Sequence, residues 1–170
     1  FCKKYNISTA KYQKFKNYNL AKKFLEKIKY PCVIKANGLA AGKGVYISKN
    51  KNEAIKAINE IMIKKKFKES GNEIVIEEFI EGEEISYLAL VDGKNYLPLK
   101  ASQDYKKIYE SDKGPNTGGM GAYCPVPLIN KNIQEKINKT IIEPTILGMK
   151  KENRVFKGVL YAGLMLTKKK

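Results

Sequence analysis

Apolar residues fall in short clusters punctuated by glycine, proline and asparagine, and their spacing changes along the chain. Leu20, Phe24 and Ile28 recur four apart and predict a helix, ended by Pro31, whose ring cannot continue one. Cys32 to Ala36 is short and apolar and predicts a strand, as does Val45 to Ser48, with a glycine-rich turn from Asn37 to Gly44 between them. Ile55, Ile58, Ile61 and Met62 share one helical face, so a helix is predicted from an N-cap at Asn52 to about Phe67, with Gly71-Asn72 breaking the pattern. Ile74 to Ile76 predicts a strand that ends in acidic residues. Glu84 to Val91 and Tyr96 to Ala101 predict a hairpin turned at Asp92-Gly93. From Ser102 to Pro127 no period is visible, and Gly114, Pro115, Gly118, Gly119, Gly121, Pro125 and Pro127 predict a long loop, functional or disordered. Ile133, Ile137 and Ile141 predict a helix that Pro144 interrupts or restarts, and Phe156 to Leu166 predicts a last strand. Helices mixed with hairpins, without a regular βαβ series, place the fold class as α+β.

Composition narrows the chemistry. At 170 residues the chain suits one domain or two small lobes with a real core. No apolar run approaches the ~20 residues of a membrane span, and no secretory signal follows the first charges. With 0 histidines, Ser-His and Cys-His catalysis and the commonest zinc sites are excluded. Cys2, Cys32 and Cys124 are odd in number and widely spaced, so no disulfide framework is expected and a reducing cytoplasm is the default. The net charge of +16 could signal nucleic acid. However, Arg154 is the only arginine, and the lysines are spread from Lys3 to Lys170. A lysine-biased solvated surface is the preferred reading, with a nucleic-acid module as the alternative. The start at Phe1 and the stop after the apolar run Val159 to Leu166 suggest an internal piece of a longer protein.

Three segments carry candidate chemistry. In Lys35-Ala36-Asn37-Gly38-Leu39-Ala40-Ala41-Gly42-Lys43-Gly44, glycines let peptide N–H groups approach phosphate oxygens and two lysines supply charge. The spacing is not a Walker loop, since Gly38 to Gly42 is one residue short, Gly44 replaces the hydroxyl residue and a strand follows. A flap over phosphates and an ordinary hairpin loop both remain open. The run Glu77-Glu78-Phe79-Ile80-Glu81-Gly82-Glu83-Glu84 ends a strand with peptide groups suited to an adenine edge and carboxylates suited to ribose hydroxyls, or is simply a solvated acidic turn. The segment Gly114-Pro115-Asn116-Thr117-Gly118-Gly119-Met120-Gly121 offers backbone donors to an anion, or is a passive connector.

Together these strings resemble the ATP-grasp domain of the phosphoribosylamine–glycine ligases. The matching stretches are Val33 to Val45, Ile76 to Glu84, Ser102 to Asp104, Gly114 to Pro125 and Leu160 to Leu166, in the family's order and spacing across essentially the whole chain. The resemblance implies a partial ATP-grasp fold of two lobes with nucleotide bound between them. The small lid lobe would span 9–78, and 79–170 would begin a larger central lobe truncated at its C-terminus. It implies ATP-dependent joining of glycine to 5-phosphoribosylamine through glycyl phosphate, in purine biosynthesis in the cytoplasm. Its partners would be those small molecules, with no nucleic acid or membrane.

By the same resemblance, Lys35 reaches the ATP phosphates, and Lys43 closes over them with Gly42 and Gly44. Glu77 holds adenine with the backbone of Phe79 and Ile80, and Glu84 binds ribose. Asp104, Asn116, Thr117, Gly118 and Gly119 line the acceptor and acyl-phosphate region. Magnesium (or manganese) is implied, with its ligands on family residues after Leu166, so no metal ligand is assigned here. Tyr105 stands where the family usually has histidine. A fragment of this length is expected to lack full ligase activity alone. Another ATP-grasp carboxylate–amine ligase remains the alternative within the fold.

Overall fold

In the computed structural model of the chain, residues 1–40, 43–111 and 113–167 are described, with 115 and 116 described through their backbone alone. The chain divides into two compact units, one of residues 10–80 and one combining 1–9 with 81–170.

The unit of residues 10–80 is a four-stranded sheet backed by helices. Strand β1 (Tyr12–Phe15) is followed by α1 (Tyr18–Phe24), β2 (Cys32–Ala36), β3 (Val45–Ser48), α2 (Lys51–Ile58) and β4 (Ile74–Glu78). The sheet order is β1-β4-β2-β3, antiparallel throughout. No periodicity announced β1, whose only buried residue is Phe15. Alternation along β2 and β4 sends Cys32, Ile34, Ile74 and Ile76 into one core with Leu25, Ile58 and Ile61.

The helices depart from the expected ones at three points. Of the expected stripe, Phe24 and Ile28 pack against the core while Leu20 is 61% exposed, and the fully buried positions are Ala21 and Leu25. The cap of α2 is Asn50, not Asn52. Its side chain accepts from Glu53 N at 3.0 Å while the Glu53 carboxylate accepts from Lys49 N at 2.8 Å, a reciprocal cap that sets the start of the helix. A π-helical turn, Asn59–Ile63, ends this helix before the expected Phe67.

The other unit contains β5 (Glu83–Val91), β6 (Tyr96–Pro98), β7 (Gln103–Tyr109), β8 (Lys113–Tyr123), α3 (Lys131–Ile137), α4 (Glu143–Lys151) and β9 (Gly158–Leu166). Strands β6, β5 and β9 form one antiparallel sheet, and β7 with β8 forms a separate hairpin. The expected long loop from Ser102 to Pro127 is therefore largely a hairpin. Most of its described side chains face water on both surfaces, so no apolar period marks it in the sequence.

Ile85, Tyr87 and Ala89 of β5 are buried against Ile137, Ile142 and Ile146. The Tyr87 hydroxyl donates to Asn138 Oδ1 at 2.8 Å and the Tyr96 hydroxyl to Glu143 Oε1 at 2.7 Å. Burial, and then the Glu143 carboxylate, push the Tyr96 phenol up to about 12. Pro144 falls in the first turn of α4, where a proline is tolerated, and a π-helical turn at Asn138–Ile142 joins α3 to α4 without a break. The N-terminal segment docks on α4. Lys4 and Tyr5 reach the Glu152 carboxylate at 2.5 and 2.6 Å, and a Cβ on Gly148 would come within 2.8 Å of the Phe1 and Tyr5 rings. No helix among the described residues is long and apolar enough to cross a membrane.

Candidate functional site

The sheet of residues 10–80 has one face covered by helices and one open face. Because residues paired across antiparallel strands share a face, Val33 and Lys35 of β2 lie with Val45 and Ile47 of β3 and with Val75 and Glu77 of β4 on the open side. Val45 and Ile47 are half-exposed, so the floor is apolar and uncovered. Within it, Lys35 Nζ lies 2.5 Å from Glu77 Oε2, an ion pair formed diagonally across β2 and β4. Both side chains are rooted in central strands, so the charges are held by the sheet rather than by flexible chain.

The glycine-rich turn is built onto this sheet edge. Ala36 N donates to Gly44 O, Asn37 N to Glu73 O and Lys43 N to Ala40 O, each at 2.9 Å. The Asn37 side chain also bonds the Glu73 carboxylate, which Lys14 approaches to 3.4 Å. The Ser70 hydroxyl donates to Leu39 O at 2.9 Å. Two glycines here answer to close packing. A Cβ on Gly38 would sit 2.9 Å from Ser70 Cα, and one on Gly44 would sit 2.6 Å from Ala40 Cβ. Lys43 is exposed beside buried Gly44, and Gly42 lies outside the described residues. Phe79 and Ile80 follow β4 in irregular chain, so their peptide groups are not committed to the ladder.

In the unit of 1–9 with 81–170, the β7–β8 hairpin gathers a second set of predicted residues. Asp104 and Lys106 alternate onto one side of β7, and Lys106 Nζ reaches Glu84 Oε1 at 2.6 Å and Asp104 Oδ2 at 3.7 Å. The hydrogen bond that Lys106 donates to Glu84, helped by the charge of both carboxylates, raises the Lys106 pKa above the ordinary lysine value. Gln103 Nε2 donates to Glu83 Oε2 at 3.1 Å, and Tyr123 hydrogen-bonds Gln103 Oε1. The Thr117 hydroxyl donates to Lys106 O at 2.8 Å and accepts from Gly119 N at 3.1 Å. Asn116 pairs through its backbone with Lys107. A Cβ on Gly118 or Gly119 would meet nothing within 4 Å, so packing does not demand glycine there, although the φ of +132° at Gly119 favours it. The Tyr105 ring stacks on Tyr123 with centroids 5.8 Å apart.

The structure thus joins Lys35 to Glu77 in one unit, and Glu84 to Asp104 in the other through Lys106. In the sequence the segment of Lys106 reads as loop, and its i, i+2 spacing from Asp104 is the one local signal that links the two. Among the described residues no group of three or more histidine, cysteine, aspartate or glutamate side chains is placed to hold a metal ion.

Comparison with known proteins gives this arrangement a context. Residues 1–170 match the family profile for phosphoribosylglycinamide synthetase, ATP-grasp (A) domain. The chloroplastic phosphoribosylamine–glycine ligase of Arabidopsis thaliana is 49% identical over 168 residues, which are 99% of this chain and 32% of that protein. The crystal structure of phosphoribosylamine–glycine ligase from Thermotoga maritima superposes with a TM-score of 0.90 at 39% identity, covering 98% of this chain and 42% of that one. The D-alanine–D-alanine ligase of Bacillus anthracis, complexed with ATP, shares the fold alone, with a TM-score of 0.62 at 21% identity over 98% of this chain and 49% of that one. The chain therefore spans about a third of the Arabidopsis protein's length and has an ATP-grasp fold. With residues 1–170 all matched to the family profile, the chain belongs to the phosphoribosylglycinamide synthetases, within their ATP-grasp (A) domain.

Proposed function

We propose that this chain is the ATP-handling portion of a ligase that joins glycine to 5-phosphoribosylamine in purine biosynthesis. A carboxylate is a poor electrophile, so a glycine carboxylate oxygen first attacks the γ-phosphorus of ATP, releasing ADP and forming glycyl phosphate. The amine nitrogen of phosphoribosylamine then attacks the acyl carbon. Phosphate leaves, the nitrogen loses a proton, and the amide of glycinamide ribonucleotide remains. Phosphate charge moves at each step, so the protein contributes mainly positioning and electrostatics.

In this reading Lys35 provides a strand-fixed cation for the phosphates, while Lys43 closes over them with Gly42 and Gly44. Glu77 and the peptide groups of Phe79 and Ile80 take the adenine, and Glu84 takes the ribose. Asp104, Asn116, Thr117, Gly118 and Gly119 line the acceptor and acyl-phosphate region. The family implies a divalent cation. Among the described residues no cluster of histidine, cysteine, aspartate or glutamate fits one. A cytoplasmic setting belongs to the same proposal, supported by three cysteines that are free thiols.

The observation that carries the proposal is the Lys35–Glu77 pair on the open sheet face whose strands β2 and β3 flank the glycine-rich turn. The ATP held by a ligase of the same fold supports it. Equilibrium binding of ATP to Lys35→Met tests it. A charge-assisted contact contributes roughly 1.5–3 kcal/mol, so affinity should fall at least ~10-fold. An unchanged dissociation constant would overturn the nucleotide assignment.

A further inference from the structure

Lys106 is held at both ends. Its carbonyl accepts from Thr117 across the hairpin at 2.8 Å, and its ammonium lies 2.6 Å from Glu84 Oε1 at the start of β5. Asp104 Oδ2 stands 3.7 Å away on the same side of β7. The Lys106 side chain is 34% exposed, while that of Glu84 is 50% exposed. A glutamate this open would sample several rotamers unless something held it. Lys106 occupies Oε1, and among the described residues no hydrogen bond engages Oε2. The result is a carboxylate with one oxygen anchored and the other left to accept further hydrogen bonds.

We propose that Lys106 is a positioning residue that orients the Glu84 carboxylate toward the sugar hydroxyls of the bound nucleotide, and thereby sets the preference for a ribose over a sugar lacking those hydroxyls. This rests on the ribose role of Glu84 given above. A carboxylate that accepts from a hydroxyl favours the nucleotide that carries one, because the analogue without it forgoes that charge-assisted contact. Lys106 supplies the order that makes Glu84 such an acceptor. It also ties the hairpin bearing Asp104, Thr117, Gly118 and Gly119 to the same carboxylate.

Calorimetric affinities for ATP and 2′,3′-dideoxy-ATP, measured on the full-length chain, separate the possibilities. The unaltered protein should prefer ATP by ~10-fold or more. Lys106→Met should lower that preference ~3- to 10-fold by weakening ATP alone, the scale of one ordinary hydrogen bond, since the Glu84 carboxylate remains but is no longer held in place. Unchanged dideoxy-ATP affinity would report an intact fold. Lys106→Arg should recover most of the preference. A Lys106→Met protein that keeps the full preference, or that weakens both nucleotides equally, would overturn the positioning role while leaving the ribose assignment standing. Glu84→Gln that leaves the preference untouched would overturn both.

Discussion

Lys35 and Cys32 sit three residues apart on β2, and strand alternation gives them opposite surroundings. Lys35 faces the open side, where Glu77 meets it. Cys32 faces the core at 1% exposure, and desolvation pushes its thiol up to about 11. Because the thiolate is the nucleophile, Cys32 should resist iodoacetamide at pH 8 in the folded protein, while exposed Cys124 is alkylated. Peptide mass spectrometry reads the two sites separately, and rapid labelling of Cys32 would contradict the burial. The strand placement of Lys35 and Glu77 was legible because each lies in or directly after a short apolar run, while the roles proposed for them come from the family resemblance. The contacts of Lys106 were not legible, because its partners Glu84 and Thr117 are 22 and 11 residues away and only the hairpin brings them together.

Caps and turns decide where elements begin. Asn50→Ala removes the reciprocal cap of α2 and should cost about 1 kcal/mol in a denaturant titration. Asn52→Ala should leave the midpoint nearly unchanged, and equal losses at both positions would contradict the assigned cap.

The turn between β5 and β6 carries a pH signature. Asp92 Oδ1 accepts from Lys94 N at 2.8 Å and Asn95 N at 2.6 Å, and Oδ2 accepts from the Asn95 side chain at 3.0 Å. Led by the Asn95 side chain, these bonds lower its pKa from 3.8 to about 2. The folded value lies below the unfolded one, so the turn's stabilisation is complete above pH ~4 and is lost as pH falls through about 2. An NMR titration of the Asp92 carboxyl carbon should show a midpoint near 2, whereas one near 4 would mean the bonds do not form in solution. Asp92-Gly93 was readable as a turn from sequence. The β7–β8 hairpin was not, because glycine-rich strands with few buried positions leave no alternation to see.

Each unit has its own core, one around Ile34, Ile58 and Ile74 and one around Tyr87, Ala89 and Ile142. Ile34→Ala should leave a cavity worth about 2–5 kcal/mol. Native-state hydrogen exchange should then rise throughout 10–80, while the amides of β5 and β9 keep their protection. Equal loss of protection in both would show that the cores unfold as one.

Local pattern determined much of this protein by itself. The strand Cys32–Ala36, the strand Val45–Ser48, the glycine-rich turn between them and the hairpin at Asp92-Gly93 all depend on near neighbours, so period and turn chemistry suffice to place them. The same residue strings carried the family resemblance that the profile match bears out. Tertiary structure alone decided that β1 pairs with β4, that residues 1–9 dock on α4, and that Lys106 meets Glu84. Those contacts join residues far apart in the chain, and no local period encodes which distant partner a strand edge or a charged side chain will find.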